Sequence, residues 1–374
     1  MPEVAYTITL NGAPPSPAVM GAIQMLQVED HADLADILRL RVQVAQGNGA
    51  GGWRVLDEDL FSRLTPIGVR VQVGSGPATP LIEAYVIETS ANFDNEPGRS
   101  FLDVVALDPT VLMSLDEKVR SWPNMADSDI AATIFGEYGF QTDVESTNVR
   151  YQEQDTTMIQ RGTDIRFLLQ LARRNGYECF VELDEHGGRP VGHFHKPHLD
   201  RTPQGVLSIS LGEATNVNRF RARFDMLRPV QAAASSLDIA TQSDQDGQAR
   251  ETSLRSLGKG GTLDPNRPRR VLLSQTGLTQ TSELQNYAQA FVDESAFALL
   301  AEGELNTVAY GGVLRAKRAV AVRGAGRQFS GFYYVEKVQH TFSSQGYVQK
   351  FNLRRNALGL MGQEKFTEDR ALPA

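Results

Sequence analysis

The sequence predicts an α+β protein that is mainly β, in which two β domains flank an α/β insert. Three observations predict this class: short stretches of alternating apolar and polar residues towards both ends of the chain, two amphipathic helix patterns between them that each end at a glycine, and polar or glycine-rich connecting segments. The predicted division is a first β domain at residues 1–115, an α/β insert at 116–212, a second β domain at 213–361 with a helix near 282–300, and a polar C-terminal tail at 362–374.

The first β domain is predicted from alternation. Residues 4–10 spell VAYTITL, and the strand ends at Asn11-Gly12 and a proline cluster, which break strands. Further strands are predicted at residues 23–28, 38–44, 68–73 and 81–90. The stretch QGNGAGGW at residues 46–53 is typical of a flexible hairpin loop that a partner could reorganise, rather than of a dinucleotide fingerprint.

The stretch Tyr151–Glu182 carries the clearest helix signal. Thr163 and Asp164 offer side-chain oxygens to the free amides of a helix start, and Asn175-Gly176 supplies the left-handed residue that ends a helix. Between them, one apolar face has helical spacing: Ile165, Phe167, Leu168, Leu171 and Ala172. A half-buried strand is predicted to follow, with these residues on one face: Tyr177, Cys179 and Val181.

A second helix is predicted within residues 102–140. A strand leads into Asp108-Pro109, a polar link follows, and Asp127 or Ser128 is the predicted helix cap. Gly139 is the predicted stop. The apolar face consists of Ile130, Ile134 and Tyr138.

The second β domain is predicted to begin with a strand on which these residues alternate: Val217, Phe220, Ala222 and Phe224. Residues 241–270 are rich in Gln, Ser, Asp, Gly and Arg, which predicts a mobile or partner-ordered loop. An amphipathic helix is predicted to follow, with an apolar face of Leu284, Tyr287, Ala288, Phe291 and Phe297. Strands are predicted again across residues 319–356.

Composition excludes several function classes. The 374 residues suffice for two or three domains, and a formal net charge of −8 argues against general attraction to nucleic acid. The single cysteine, Cys179, excludes an internal disulfide and is typical of assembly in a reducing compartment. No basic and apolar leader opens the sequence, and no apolar run approaches the ~20 residues that a membrane helix needs.

The segment GHFHKPH places His193, His195 and His198 close together. On a strand, His193 and His195 share a face, which is a plausible start for a zinc or iron site. Because no Cys, Asp or Glu other than Asp200 lies at ligand spacing nearby, we expect structural or solvent-facing roles and retain the three only as weak metal candidates. We predict no metal and no cofactor. Core or surface roles are expected for two isolated histidines, His186 and His340.

Other segments resemble catalytic motifs only superficially. Residues 324–331 lack the Gly-Lys-Ser/Thr ending of a phosphate loop and lie between predicted strands, so a β-turn is expected. The acidic runs at residues 57–59 and 184–186 are contiguous, which is typical of solvated side chains rather than of a catalytic carboxylate pair. No catalytic residue is predicted. A solvated loop that could meet an acidic partner is expected at Arg267, Arg269 and Arg270.

Together these segments resemble the late control D, or gp27-like, family of contractile-tail hub proteins, which also includes the N-terminal part of type VI secretion VgrG spikes. The family pattern falls here on Tyr151, Gln154, Thr163, Asp164, Phe167, Leu168, Leu171, Ala172, Gly176 and Tyr177. Further motif positions with structural roles are Asp108, Gly324, Gly326 and Gly331. The resemblance covers most of the chain after residue 100.

The resemblance implies a structural protein without enzymatic activity. In that family the two outer domains share the fold of the tail-tube protein, so three copies present six tube-like modules. We therefore expect two tube-protein-like β-barrel domains with the α/β insert between them, although no sequence repeat relates the two domains. The implied assembly is a homotrimeric hub that adapts a sixfold inner tube to a threefold spike. The implied partners are further copies of itself, the inner tube protein, a separate spike protein and baseplate wedge proteins.

The sequence ends without the OB-like domain and repetitive β-helix region of VgrG, so we expect a separate spike polypeptide and a phage, tailocin or extracellular injection system. Two alternatives remain: another tube-lineage protein, such as a tube initiator or distal tail ring, and, less favoured, a tail-associated cell-wall hydrolase. We expect assembly in the bacterial cytoplasm into a virion or phage-tail-like particle, with no nucleic-acid specificity and no membrane insertion.

Overall fold

The computed structural model describes residues 4–45, 53–57, 59–96, 98–153, 157–184, 188–200, 202–238, 243–274, 278, 280–362 and 364. Strands account for 46% and helices for 19% of the structure, which confirms the mainly β prediction. Several predicted features lie outside the described residues: most of the 46–53 loop, Glu58, Gln154, Glu185, His186, residues 241–242 and nearly all of the C-terminal tail. No helix within the described ranges is long and apolar enough to cross a membrane.

The strands are β1 Val4–Leu10, β2 Ile23–His31, β3 Ile37–Gln43, β4 Pro66–Val73, β5 Thr79–Asn92, β6 Phe101–Leu107, β7 Glu117–Trp122, β8 Gln141–Val144, β9 Met158–Thr163, β10 Glu178–Leu183, β11 Pro190–His195, β12 Val206–Ser208, β13 Val217–Phe224, β14 Val230–Asp238, β15 Ser243–Ala249, β16 Gly260–Gly261, β17 Arg269–Leu273, β18 Leu299–Leu305, β19 Ala319–Arg323, β20 Gly331–Ser343, β21 Gly346–Arg355 and β22 Ala357–Leu358. The helices are α1 Pro17–Ala22, α2 Arg54–Asp57, α3 Asp127–Glu137, α4 Asp164–Asn175, α5 Thr281–Ser295, α6 Thr307–Tyr310 and α7 Gly326–Phe329, with 3₁₀ helices at Pro109–Ser114 and Gly212–Ala214.

One 12-stranded sheet contains strands from both ends of the chain. Its path is β1-β4-β5-β6-β3-β2-β20-β21-β18-β13, and β19 and β12 extend from β20. Divided at the β2–β20 pairing, the sheet consists of two sets, β1-β4-β5-β6-β3-β2 and β12-β19-β20-β21-β18-β13. When the strands of each set are ranked along the chain, both sets have the same order, 1-4-5-6-3-2. We call them the first unit and the second unit.

The two units also agree in register. A β-bulge lies between Val86 and Glu88 in the β5–β6 ladder and between Val335 and Lys337 in the β20–β21 ladder. The β2–β3 ladder has an irregularity around residue 24, and the β13–β18 ladder has one around residue 218. Bulges redirect a strand, so the two units bend at matching places as well as sharing their strand order. One pairing differs, because β1–β4 is antiparallel whereas β12–β19 is parallel.

Left-handed residues mark the same position in both units. Leu64 has φ 61° and Lys317 has φ 64°, although neither is a glycine. Their amides donate to equivalent carbonyls, Leu64 to Val86 and Lys317 to Val335, both at 2.8 Å. A bulky L-residue adopts this backbone conformation only at a cost in free energy, and the surrounding strand pairing holds it there.

Each unit has its own apolar core, because alternate side chains along its strands point inward. The hairpin β20–β21 extends beyond the second unit and contributes to the core of the first. Phe342 lies 5.1 Å from Tyr6 and 4.1 Å from Tyr347, measured between ring centroids. The β2–β20 pairing and this hairpin therefore join the units into one packed body.

The insert is built on the sheet β10-β11-β8 and the ladder β7–β9, covered by α3 and α4. Helix α4 ends at Gly176 with φ 67°, as predicted. A Cβ at Gly176 would lie 3.1 Å from the Ala290 Cα on α5. Glycine is therefore required both for the left-handed turn and for the close approach of the second unit's helix.

Strand β10 is buried on both faces, so the prediction of a half-buried strand was wrong. Glu178 and Phe180 are 5% exposed, like the apolar residues that alternate with them. Tyr177 precedes the strand rather than belonging to it. The reason is tertiary: one face packs against the insert helices, and the other meets the large sheet.

The expected mobile loop at residues 241–270 is also wrong for the described part of that segment. It contains β15 and β16, and β15 joins β14 and β17 in a sheet that packs on α5. Leu254 and Leu257 are buried. The polar composition concealed this structure because small residues, rather than large apolar ones, form the face that packs on the helix.

Three smaller predictions also need correction. The link after Asp108-Pro109 contains β7, which pairs with β9. Phe291 is 39% exposed, so it does not belong to the buried face of α5, whereas Phe297 is buried beyond the end of that helix. The N-cap of α3 is Ala126, so Asp127 and Ser128 lie inside the helix.

Candidate functional site

The candidate functional site is the junction where the two units and the insert meet. Two buried polar clusters hold it together. The aspartate network consists of Asp30, Asp36, Asp108, Arg315 and Lys317. The Glu178 network consists of Glu178, Tyr334 and Arg354.

The aspartate network centres on the Lys317 ammonium. Its Nζ lies 2.8 Å from Asp30 Oδ1 and 2.9 Å from Asp36 Oδ2, and Arg315 Nε lies 2.8 Å from Asp30 Oδ2. Asp108 caps the 3₁₀ helix at Pro109–Ser114 and accepts the Asp36 amide at 2.7 Å. This places the motif residue Asp108 in a network that spans β2, the β6 end and the segment before β19.

Burial and charge act in opposite directions on these carboxyl groups. Burial works to raise the pKa of Asp30, but Lys317 and Arg315 outweigh it and hold that pKa well below its usual range. Burial raises the pKa of Asp36 and of Asp108, and Lys317 only partly offsets it. One ammonium thus faces more carboxyl groups than it can neutralise, so Lys317 stays charged and its removal is costly.

The Glu178 network attaches the insert to the second unit. Tyr334 donates its hydroxyl to Glu178 Oε2 at 2.6 Å, and Arg354 Nη2 donates to Glu178 Oε1 at 2.8 Å. All three residues are at most 5% exposed. The Arg354 guanidinium also lies 4.5 Å from the centroid of Phe297. Because burial dominates the partly compensating arginine, the pKa of Glu178 is raised to about 7.

The motif residues of α4 lie at the core of the insert. Phe167, Leu168 and Leu171 are buried there with Ala172. Thr163 occupies the N-cap position but makes no side-chain capping bond. The carboxylate of Asp164 accepts instead from Tyr138 Oη at 2.7 Å and from Gln160 Nε2 at 2.6 Å, and it pairs with Lys118. The predicted capping role is therefore wrong, because Asp164 joins α4 to the β7–β9 ladder.

The remaining α4 residues connect it to α3 and to the rest of the insert. Arg174, in the last turn, pairs through two nitrogens with the buried Asp127. Tyr151 lies under the Arg174 guanidinium, 5.0 Å from ring centroid to Cζ. Tyr177 donates its hydroxyl to the Ser146 carbonyl at 3.0 Å. None of these contacts forms a reactive constellation, and all of them rigidify the insert.

The motif glycines lie between β19 and β20, where α7 forms one helical turn. Gly324, Gly326 and Gly331 all have positive φ. A Cβ at Gly331 would lie 2.5 Å from Arg355 Nη2, and one at Gly324 would collide with the Ile209 carbonyl. Close approach of neighbouring groups explains the glycines at 324 and 331, and this connection has no phosphate-loop geometry.

The histidine segment acquires a neighbour that sequence reasoning missed. Strand β11 pairs in parallel with β8, which places Asp143 opposite His193. His193, His195 and Asp143 then bring one ligand atom each within 4.8 Å of one another. His198 is exposed and stacks on His195 with 3.8 Å between centroids. Asp143 lies fifty residues away in the sequence, so local spacing contained no signal for it.

One signal for the aspartate network was present in the sequence. Leu26, Val28 and Asp30 alternate on the inward face of β2, so the carboxylate occupies an apolar position. A charge at such a position predicts a buried partner. The partner itself, Lys317, comes from the other end of the chain and has no local signature.

Two strand edges remain exposed, and they correspond to the two strands that pair between the units, β2 and β20. Within the described pairings, β13 is hydrogen-bonded on one side only, to β18. Residues 87–92 of β5 are all exposed, and Ile87 and Phe93 are 43% and 58% exposed. On β13, Arg219, Arg221 and Arg223 point outward to solvent.

Comparison with solved structures defines the class of fold. The 43 kDa tail protein of prophage MuSo2 from Shewanella oneidensis is 15% identical, with a TM-score of 0.64 over 95% of this chain and 100% of that one. A tail protein from Neisseria meningitidis MC58 is 11% identical, with a TM-score of 0.62 over 94% and 97% of the two chains. The E. coli c3393 protein, a type VI secretion component described as similar to phage T4 gp27 and gp5, has a TM-score of 0.57 at 10% identity over 93% and 76%. The chain therefore has the fold of phage tail proteins.

The chain belongs to the Alg8 N-terminal domain family, whose model matches residues 3–344. No curated protein matches the sequence. The solved tail-protein structures share the fold that the gp27-like resemblance predicted, but the family model that matches is not that of late control D.

Proposed function

We propose that this protein is the baseplate hub of a contractile phage tail or a phage-tail-like injection particle. It forms a homotrimer and adapts the sixfold inner tube to the threefold spike. The observation that carries the proposal is the full-length fold match to two tail proteins, which covers 95% and 94% of this chain. The role is structural, because the junction clusters contain ion pairs and hydrogen bonds but no nucleophile paired with a base.

The shared strand order of the two units supports a pair of tube-protein-like β-barrel domains. Two modules in each chain and three chains make six modules, which is the number that a sixfold tube requires. The insert is attached to this pair by the Glu178 network.

The pairing between the units suggests how neighbouring chains join. Within one chain, the second strand of the first unit, β2, pairs with the distal half of the fifth strand of the second unit, β20. The strand of the second unit that corresponds to β2 is β13. The segment of the first unit that corresponds to the distal half of β20 is the distal half of β5. Both strand edges are exposed. An unpaired edge is a ready template for another strand, so β13 of one chain is proposed to pair with residues 87–92 of the next.

The matching bulges define the register of this proposed pairing. In β2–β20, Leu26 lies opposite Phe342 and Val28 opposite His340. When the bulges of the two units are superimposed, the equivalent pairs are Phe220 with Phe93 and Ala222 with Ala91. The first pair buries an exposed aromatic side chain, since Phe93 is 58% exposed in the single chain. Apolar and aromatic cross-strand pairs of this kind stabilise sheets.

The proposed partners are the inner tube protein above, a separate spike protein below and the baseplate wedge proteins. The hub must keep its contacts while the sheath contracts, so its internal joints must be stiffer than its contacts with the tube and spike. The largely buried networks at the junction supply that stiffness, because their ion pairs and hydrogen bonds hold the carboxyl groups in a fixed geometry.

Light scattering tests the assembly. The purified chain is measured alone and with the spike protein that is co-expressed with it. A trimer, alone or only with the spike, supports the hub. A stable hexamer supports a tube-initiator or distal tail ring instead, and a monomer that ignores the spike contradicts an assembly role.

Cysteine crosslinking tests the proposed register. Opposed strand residues lie close enough for a disulfide, and the native Cys179 is buried. A chain carrying Ala222→Cys and Ala91→Cys is expected to give covalent trimers on oxidation. The matched control combines Ala222→Cys with Thr7→Cys on the other sheet edge, β1, and is expected to remain uncrosslinked. Equal crosslinking of both pairs would contradict the register.

A further inference from the structure

Three donor atoms converge at the edge of the insert sheet. His193 Nδ1 lies 3.1 Å from Asp143 Oδ2, His195 Nε2 lies 3.3 Å from His193 Nδ1, and His195 Nε2 lies 3.6 Å from Asp143 Oδ2. Two imidazoles and one carboxylate thus form a nearly equilateral triangle. The triangle is held by the β8–β11 pairing and not by a loop.

The size of the triangle matches one face of a tetrahedral metal site. Nitrogen and oxygen ligands lie about 2.0–2.2 Å from zinc, so in a tetrahedron they lie roughly 3.3–3.6 Å from one another. The three distances of 3.1, 3.3 and 3.6 Å are close to that range. Small side-chain movements would suffice to bind an ion.

The hydrogen bonds of the histidines also favour metal binding. His195 Nδ1 lies 2.7 Å from the Lys196 carbonyl, which can only accept, so the ring proton is on Nδ1 and the Nε2 lone pair faces the triangle. The outer nitrogen of His193, Nε2, lies 3.9 Å from Glu182 Oε1, beyond hydrogen-bond distance. The carbonyl behind His195 orients that ring and increases its basicity.

Hydrogen bonds alone do not give each acceptor of the triangle its own proton. The triangle contains three acceptor positions, and with His195 protonated on Nδ1 only His193 can supply a proton to it. A divalent cation would satisfy all three acceptors at once.

We propose that Asp143, His193 and His195 bind a divalent transition-metal ion of the zinc type. The three residues line a cleft of about 590 Å³, which leaves the fourth coordination position accessible. His198 and Asp200 line the same cleft but lie outside the triangle. Two histidines and a carboxylate suit zinc better than magnesium or calcium, which prefer oxygen ligands.

The surrounding charges permit a cation at this position. Asp143 supplies one negative charge, and Glu182 lies nearby but already pairs with Arg318 and Arg315. The two cations of the cleft are already paired: Lys317 with Asp30 and Asp36, and Arg318 with Glu182 at 3.6 Å. This inference is independent of the proposed hub role, because it concerns only the insert.

Calorimetric titration of the untagged full-length protein with zinc ions tests the site. We expect saturable binding of one ion per chain, and cobalt ions in place of zinc should give the visible absorption of a tetrahedral site. Asp143→Asn, at a half-exposed side chain, should weaken binding at least ~10-fold, since even the loss of an outer-sphere partner costs about that much. His195→Gln should do the same, and circular dichroism checks that both variants fold.

The matched controls are Asp200→Asn and His198→Gln in the same cleft, and both should bind zinc like the unaltered protein. Absence of saturable binding in the unaltered protein overturns the proposal. Loss of binding in the controls that equals the loss in Asp143→Asn also overturns it, because binding would then depend on the general charge of the cleft.

Discussion

The two units of the large sheet share strand order and bulges, yet the same position is covered in one and open in the other. In the second unit, the distal half of β20 pairs with β2, and alternate side chains from Val338 to Phe342 are buried. In the first unit, the equivalent residues 87–92 are all exposed. The two units therefore have equivalent strand edges, and only the edge of the second unit pairs with another strand within the chain. The open edge is the place where a second copy is proposed to pair.

A second contrast concerns the left-handed residue before the fourth strand of each unit. In the first unit this is Leu64, which is partly exposed. In the second unit it is Lys317, whose ammonium holds Asp30 and Asp36. The same strained backbone position thus serves a turn in one unit and the central ion pair of the junction in the other.

The largest expected effect comes from the equivalent phenylalanines. Phe342→Ala should lower the free energy of unfolding by about 3–5 kcal/mol, because it leaves a cavity under β2. Phe93→Ala should change the stability of the isolated chain by less than about 0.5 kcal/mol, because that side chain is exposed. Urea unfolding of both variants measures the difference. Equal losses would mean that the two edges are not distinct.

The next effect separates the left-handed residues. Lys317→Met removes the charge that faces the buried Asp30 carboxylate and the Asp36 carboxyl group, and should cost about 3–5 kcal/mol. Leu64→Met keeps the size and polarity of a residue at the same backbone position and should cost less than about 1.5 kcal/mol. Denaturant midpoints compare the two. A mild Lys317→Met variant would show that the aspartate network does not hold the junction.

A pH effect sharpens the comparison at the covered edge. Burial lowers the pKa of His340 to about 3, while its exposed counterpart in the first unit is Ala91. Below the unfolded pKa of about 6.5 the unfolded chain binds a proton that the folded chain does not, so stability falls as pH falls. The loss at pH 5 should be about 2 kcal/mol. His340→Gln should reduce the pH dependence of the free energy of unfolding measured by urea titration. An unchanged pH dependence would mean that another group takes up the proton.

The smallest effect concerns a cross-strand pair whose charges are reversed between the units. Arg41 lies opposite Asp103, and at the equivalent place Glu304 lies opposite Lys350. The Arg41–Asp103 pair is more than a third exposed, so Asp103→Asn should cost less than about 1 kcal/mol. A larger cost, measured by thermal unfolding, would indicate that this face is not solvated in the isolated chain.

The sequence by itself determined the mainly β class, the strands of the first unit and the helix that ends at Gly176. These features depend on local periodicity and on the backbone preferences of glycine, which a single segment contains. The match between the two units was not visible, because strand order and register depend on pairing and the paired side chains differ in identity.

Only the tertiary structure decided the chemistry of the junction and of the histidine triangle. Asp30 meets Lys317, Glu178 meets Arg354, and Asp143 meets His193 through strand pairing and packing between distant segments. The strand at 178–183 was predicted to be half-buried because its sequence cannot show that a second layer covers it. Long-range contacts define burial, and burial determines which charges need partners and which pKa values shift.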